Sequence, residues 1–295
     1  NANNKLKEIN NFLITGRKFK EFVKIPNITE PEAIENALEF LNIKDIDTII
    51  SAGGENFIVY HLDKNLKISK VESGNKCASG TGEFFLQQIK RMDLTKEKAT
   101  EIGLKGTPHK ISGRCSVFCK SDCTHALNKG EKKEDVVSGL CEMMANKILE
   151  LLNKVNFNKV LLIGGTSQNK PLVEFLRKKV NLTIPNEATY FEALGTAYAA
   201  KSKGIKKINI NDLFAKKTSS FTFHKPLKNF LKYIEFKESE RKNPKENDTC
   251  IIGLDVGSTT TKIILLRTKD NAILASEYLR TNGDPINASV ECYSS

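Results

Sequence analysis

Two apolar strands that each run straight into a Gly-Gly turn constrain this chain more than any other feature. Asp47-Thr48-Ile49-Ile50 enters Ser51-Ala52-Gly53-Gly54-Glu55-Asn56 and returns through Phe57-Ile58-Val59-Tyr60, while Lys159-Val160-Leu161-Leu162-Ile163 feeds Gly164-Gly165-Thr166-Ser167-Gln168-Asn169. Short aliphatic runs of this kind are buried strands, and helical patterns alternate with them, which gives an α/β fold. Helices are expected from Asn27-Ile28-Thr29-Glu30-Pro31 to about Leu41, from Asp135 to Lys154, from Pro171 to Lys178 and over Phe191–Ala200. The last is built of small residues and predicts close packing. Phe12–Arg17 reads as a strand and turn, and Thr183-Ile184-Pro185 as a short strand.

A second signal is a cysteine in a glycine-rich turn. Asn75-Lys76-Cys77-Ala78-Ser79-Gly80-Thr81-Gly82 runs into the apolar-periodic Phe84–Ile89, and Gly113-Arg114-Cys115-Ser116-Val117-Phe118-Cys119 follows. A helix N-terminus, with its dipole and unpaired N–H groups, favours a thiolate or an anionic ligand. The pair reads as an iron–sulfur and nucleotide signature. Cys77 and Cys115 are too far apart in sequence for spacing to show that they converge. Cys115, Cys119 and Cys123 recur on one helical face, and Lys120-Ser121-Asp122 between them is too polar for plain core, so either Cys119 or Cys123 could join as a further ligand. His125 reads as a surface histidine.

Composition narrows the partners only a little. Lys and Arg outnumber Asp and Glu by 46 to 35 over 295 residues, but the excess is spread without a dense basic block. A basic surface of that kind serves acidic partners or nucleotides as well as nucleic acid or lipid, and neither nucleic acid nor a membrane is expected as a partner. Nothing approaches the ~20 apolar residues of a membrane span, and the first residues lack a signal peptide's apolar core, so a cytoplasmic location is expected. The seven cysteines are then free, metal-binding or redox-active rather than paired. Of these Cys141, Cys250 and Cys292 read as small buried hydrophobes.

Near the other end, Cys250–Val256 is an apolar strand, Gly257-Ser258-Thr259-Thr260 a turn, and Thr261–Leu266 a returning strand. This is how a lobe begins in the actin, sugar-kinase and heat-shock ATPase superfamily, where turn amides and hydroxyls hold phosphates. With Asn75–Gly82, Cys115–Phe118, Gly164-Gly165, Asn169, Glu192-Ala193-Leu194-Gly195 and Asp255–Lys262 in this order, the chain resembles the activator ATPases of 2-hydroxyacyl-CoA dehydratases, relatives of the benzoyl-CoA reductase ATPase subunits, in their long double-repeat form.

The resemblance implies an actin-like or sugar-kinase-like fold with ribonuclease H-like lobes, here an incomplete or permuted repeat. Residues 1–201 would form one incomplete ATPase repeat, 202–249 a connector, and 250–295 the start of a second repeat. The chain would be an internal piece of a longer protein. It also implies a 4Fe-4S cluster ligated by Cys77 and Cys115, shared in a homodimer or between repeats of one chain, with ferredoxin or flavodoxin as electron donor and a dehydratase or related reductase as acceptor. ATP or ADP with Mg2+ would lie on Gly53, Gly54, Gly164, Gly165 and Asn169, joined by Gly257, Ser258, Thr259, Thr260 and Lys262 if the C-terminal hairpin completes the same lobe. One lobe is expected around 47–72 and the other around 76–200.

Such ATPases begin their second phosphate element with aspartate, where this chain has Ser51, so the acidic chemistry falls to Glu55 and Asp255. A kinase-like phosphotransferase of the same superfamily and a non-hydrolysing scaffold repeat are the other readings. Neither the acyl-CoA nor the acceptor enzyme is legible.

Overall fold

A computed structural model of the chain describes residues 11–16, 22–74, 81–113, 115–203, 224–237 and 240–295. Its main sheet has five strands in the order β3-β2-β1-β4-β5. They are β1 (Thr48–Ala52), β2 (Phe57–Leu62), β3 (Ile68–Ser73), β4 (Lys159–Ile163) and β5 (Asn181–Thr183). Adjacent strands β1 and β2 form the expected hairpin, and β1 and β4 run parallel with Ile49 opposite Leu161 and Ile50 opposite Leu162. The two Gly-Gly turns therefore leave the same edge of the sheet side by side.

Pleating sends alternate residues of these strands to opposite faces. Ile50, Ala52, Val59, Val160 and Leu162 join one core with the helices α2 (Gly82–Arg91), α3 (Lys96–Gly103), α4 (Ser116–Asn128), α5 (Lys133–Leu152) and α6 (Lys170–Arg177). Ile49, Ile58, Tyr60, Leu161 and Ile163 face a second core with Ile34 and Leu38 of α1 (Glu30–Phe40) and Phe191 of α7 (Phe191–Ala200). Each fully buried side chain of this size contributes roughly 1.5–3 kcal/mol. The short strands thus read in sequence as unbroken apolar runs because both faces are covered.

Local signals place the helix starts. Thr29 caps α1, accepting from the backbone N–H of Glu32 at 3.3 Å, with Pro31 in the first turn. On the same side of the sheet, Gly195 lets α7 lie directly on α1, because a Cβ there would sit 1.8 Å from the Ala33 carbonyl oxygen. Small residues in α7 are read correctly as a close contact.

Two expectations are corrected. Residues 47–72 and 76–200 do not make two lobes. The helices α2–α5 are inserted between β3 and β4 of one sheet, because β4 pairs with β1. Nor does the C-terminal hairpin complete that sheet by permutation. Strands β6 (Cys250–Val256), β7 (Thr260–Arg267) and β8 (Ala272–Arg280) make a separate three-stranded sheet, with α8 (Pro285–Ser294) packed on β7 and β8. The outer neighbour that β4 supplies for β1 has no equivalent beside β6, which pairs with β7 alone among the described residues. Residues 241–248 are bound to this second sheet: Arg267, 6% exposed, donates to Asp248 at 2.8 Å and to Asp270 at 2.9 and 3.1 Å. Asp270 is held well below the usual carboxylate range by the Arg267 guanidinium.

Gly195→Ala should cost about 1–3 kcal/mol or more by forcing α1 and α7 apart, read from urea unfolding. Gly74→Ala, whose Cβ would have its nearest neighbour at 3.9 Å, should be neutral or slightly stabilising in the same measurement.

Candidate functional site

The site is built where both Gly-Gly turns meet the N-terminus of α2. The backbone N–H of Gly82 donates to the Gly53 carbonyl at 3.2 Å and that of Glu83 to the Gly54 carbonyl at 2.9 Å. Thr81, the N-cap, accepts from the Phe84 N–H at 3.4 Å. The free N–H groups expected at this helix start are therefore spent on the Gly53-Gly54 turn, and only the helix dipole remains to favour an anion.

From the other turn, Thr166 Oγ1 donates to the same Gly53 carbonyl at 3.3 Å. Gly164 is required here on two counts: its φ is +94°, and a Cβ would lie 2.4 Å from the Ala52 carbonyl oxygen. Gly54, Gly82, Gly165 and Asn169, with Phe85 and Met144, line a cavity of about 240 Å³ beside these turns. Four of the expected nucleotide residues, Gly53, Gly54, Gly165 and Asn169, thus come together with Gly164 behind them.

Asn169 is 8% exposed, and its two amide ends are unequal. Its Oδ1 caps α6, accepting from the Leu172 N–H at 3.3 Å, and also accepts from Cys141 Sγ at 3.4 Å. Its Nδ2 is buried without a hydrogen-bond partner. A buried unsatisfied donor costs about 1–3 kcal/mol, and Asn169 is one of the residues that line the cavity.

The C-terminal turn lies elsewhere. Ser258 and Thr259 line a cleft with Gln88 and Arg91 at the far end of α2 and Thr124 of α4. At 1.5 Å per residue, that end of α2 is ~13 Å from its start at Gly82. Gly257 closes the turn through its N–H to the Thr260 carbonyl at 2.9 Å, and Lys262 Nζ bonds Asp255 Oδ2 at 2.9 Å. That bond raises the Lys262 pKa. Asp255 and Lys262 are therefore each other's partner, and Asp255 is not beside Glu55, which is an exposed residue of the first turn.

A carboxylate that sequence reasoning did not assign stands beside Ser51. Ser51 Oγ donates to Glu192 Oε1 at 2.9 Å. Burial raises the Glu192 pKa, the Ser51 hydroxyl opposes this, and nearby Glu30 adds to it. The run Glu192-Ala193-Leu194-Gly195 carried the signal, but only the packing of α7 on the sheet shows which strand residue it reaches.

Among the cysteines, Cys77 lies outside the described residues. Cys115 is half-buried at the N-cap of α4, has extended backbone and makes no side-chain cap bond. Exposed Val117 and Phe118 flank it. Cys119 and Cys123 lie in the core, 0% and 3% exposed, and the bond to Cys119 together with burial pushes the Cys123 thiol above its ordinary range. Among the described residues no group of three or more His, Cys, Asp or Glu side chains could hold a metal ion, and no helix is long and apolar enough to cross a membrane.

The chain has relatives among known proteins. The model of the BadF/BadG/BcrA/BcrD ATPase family matches residues 28–198. An uncharacterized protein of Methanocaldococcus jannaschii is 33% identical over 53% of this chain and 65% of its own length. The (R)-2-hydroxyglutaryl-CoA dehydratase activating ATPase of Acidaminococcus fermentans is 31% identical over 55% and 64%. The chain thus spans less than two thirds of these curated relatives. Among solved structures, the activator of the 2-hydroxyisocaproyl-CoA dehydratase from Clostridium difficile with bound ADPNP superposes with a TM-score of 0.62 at 25% identity, covering 69% of this chain and 80% of that one. The fold is of the actin-like ATPase type found in the activator structures.

The raised Glu192 pKa carries a signed consequence. A carboxyl that holds its proton more tightly when folded adds stability below its unfolded pKa, near 4.3, and that stability is lost as pH rises through the folded pKa. Glu192→Gln should therefore raise Tm at pH 8, by roughly 2–4 °C for each kcal/mol relieved. The gain should vanish as the melts are repeated towards pH 4.

Proposed function

The chain belongs to the BadF/BadG/BcrA/BcrD ATPase family, and from that premise we propose that it is part of an ATP-dependent activator that delivers a low-potential electron to a 2-hydroxyacyl-CoA dehydratase or a related reductase. The observation that carries the nucleotide half is the cavity at the two Gly-Gly turns, with Asn169, whose amide Nδ2 is buried and unpaired, among its lining residues. Phe85 and Met144 would line the part of the cavity that takes the adenine. The Gly53-Gly54 turn would hold the phosphates, with Ser51 and Glu192 together at the end of β1. Glu192 replaces the carboxylate that Ser51 lacks, and it would orient Mg2+ or water from the end of β1. Glu55, in the turn itself, is the second acidic group within reach.

The electron half rests on Cys115. When bound, a 4Fe-4S cluster supplies one-electron chemistry at low potential, which ferredoxin or flavodoxin would replenish. Cys115 fits as one ligand because its thiol makes no cap bond at a helix N-terminus, where the dipole stabilises a thiolate. Cys77, which lies outside the described residues, is proposed as the second. Exposed Val117 and Phe118 would be covered by the second unit that shares the cluster. Residues 1–201 would be one repeat and 202–249 its connector, though residues 241–248 side with the C-terminal sheet. Residues 250–295 would open a second lobe, covering Ile251, Ile252, Leu254 and Val256, which β6 exposes on both faces. Gly257, Ser258, Thr259, Thr260, Lys262 and Asp255 would serve the nucleotide of that lobe.

Calorimetry with ADP tests the nucleotide assignment. Gly165→Val, whose side chain would project into the cavity, should weaken binding at least ~10-fold, a loss of about 1.4 kcal/mol, while Asp255→Ala should leave it unchanged. The opposite pattern would move the nucleotide to the C-terminal hairpin.

In anaerobically reconstituted protein, Cys77→Ser and Cys115→Ser should each lose bound iron and sulfide, while Cys119→Ser and Cys123→Ser retain them. Full iron content in both of the first two variants would remove the cluster assignment.

A further inference from the structure

Cys141 sits in the middle of α5, 0% exposed, and reads in sequence as a plain core residue. Its hydrogen bond to Asn169 Oδ1 at 3.4 Å gives it another role. An asparagine amide can present either end to a neighbour, and which end faces a ligand decides whether the site donates or accepts. At Asn169 the choice is fixed from behind. Leu172 N–H and the Cys141 thiol both point at Oδ1, and turning the amide over would set its N–H groups against the Leu172 N–H. Burial pushes the Cys141 thiol up to about 12, so it keeps its proton at neutral pH and acts as a donor. The amide's other end, Nδ2, is left buried and unpaired on a residue that lines the cavity.

We infer that Cys141 is a positioning residue: it locks the Asn169 amide with Nδ2 towards the cavity, so that the site recognises a hydrogen-bond acceptor on the bound nucleotide and rejects a donor there. The inference rests on the nucleotide reading of this cavity. It assigns a task within the site to a thiol that touches no ligand.

A double-mutant cycle with ADP as the probe tests it. Asn169→Asp keeps the oxygen that caps α6 and serves Cys141 but replaces the N–H donor, and should weaken ADP at least ~10-fold. Cys141→Ala should weaken it several-fold, and Cys141→Val, which fills the space without a donor, should do the same. Cys141→Ser should recover part of the loss. In the double variant Cys141→Ala with Asn169→Asp, the loss should not exceed that of Asn169→Asp alone, because no donor is left to aim. A thiol that merely packs would give additive losses, or none in Cys141→Val, and either result overturns the inference while the nucleotide site stands. Wild-type protein that binds no ADP overturns both.

Discussion

Three hydrogen bonds to one turn hold this lobe together. The carbonyls of Gly53 and Gly54 accept from the first two N–H groups of α2 and from Thr166. The hairpin β1–β2, the helical layer and the loop after β4 therefore share a single joint. Such a joint has to be glycine-rich, because helix start, hairpin turn and second turn approach at backbone distance. It also satisfies helix-terminal N–H groups that would otherwise stay unpaired beneath the sheet edge. The cavity is the space left beside this joint, and its shape depends on those contacts staying closed.

The same joint explains how two halves of a nucleotide could be handled by opposite faces of one sheet. Residues on alternate positions of β1 diverge: Ile50 and Ala52 face the helices that wall the cavity, while Ile49 and Ser51 face α1 and α7. The turn sits between. A ligand lying over it can have its base against one layer and its phosphates near Glu192 of the other. The position of Glu192 depends on the α1–α7 contact that Gly195 permits.

Much of this was legible in the sequence because the signals are local. Aliphatic runs, Gly-Gly turns, Thr29 before Glu30-Pro31 and the small residues of 191–200 each specify their own element. What stayed hidden depends on pairing between distant segments. That β4 sits beside β1, with the helices of 81–152 inserted between, is not written in either strand, so the sequence alone suggests two lobes where there is one sheet. The C-terminal hairpin is legible as a hairpin, but its companion β8 gives it a sheet of its own. Cys119, Cys123 and Cys141 show the same limit at the level of a side chain. Polar neighbours give no sign that the first two are buried, and a bland context hides the third's partner at Asn169.

Hydrogen–deuterium exchange of the chain with and without saturating ADP tests the central claim most directly, since it locates the ligand without altering a residue. The account predicts added protection over residues 53–57, 81–86 and 164–172, with the 255–262 hairpin unchanged. Protection confined to 255–262, or none at the two Gly-Gly turns under saturating ADP, would contradict it.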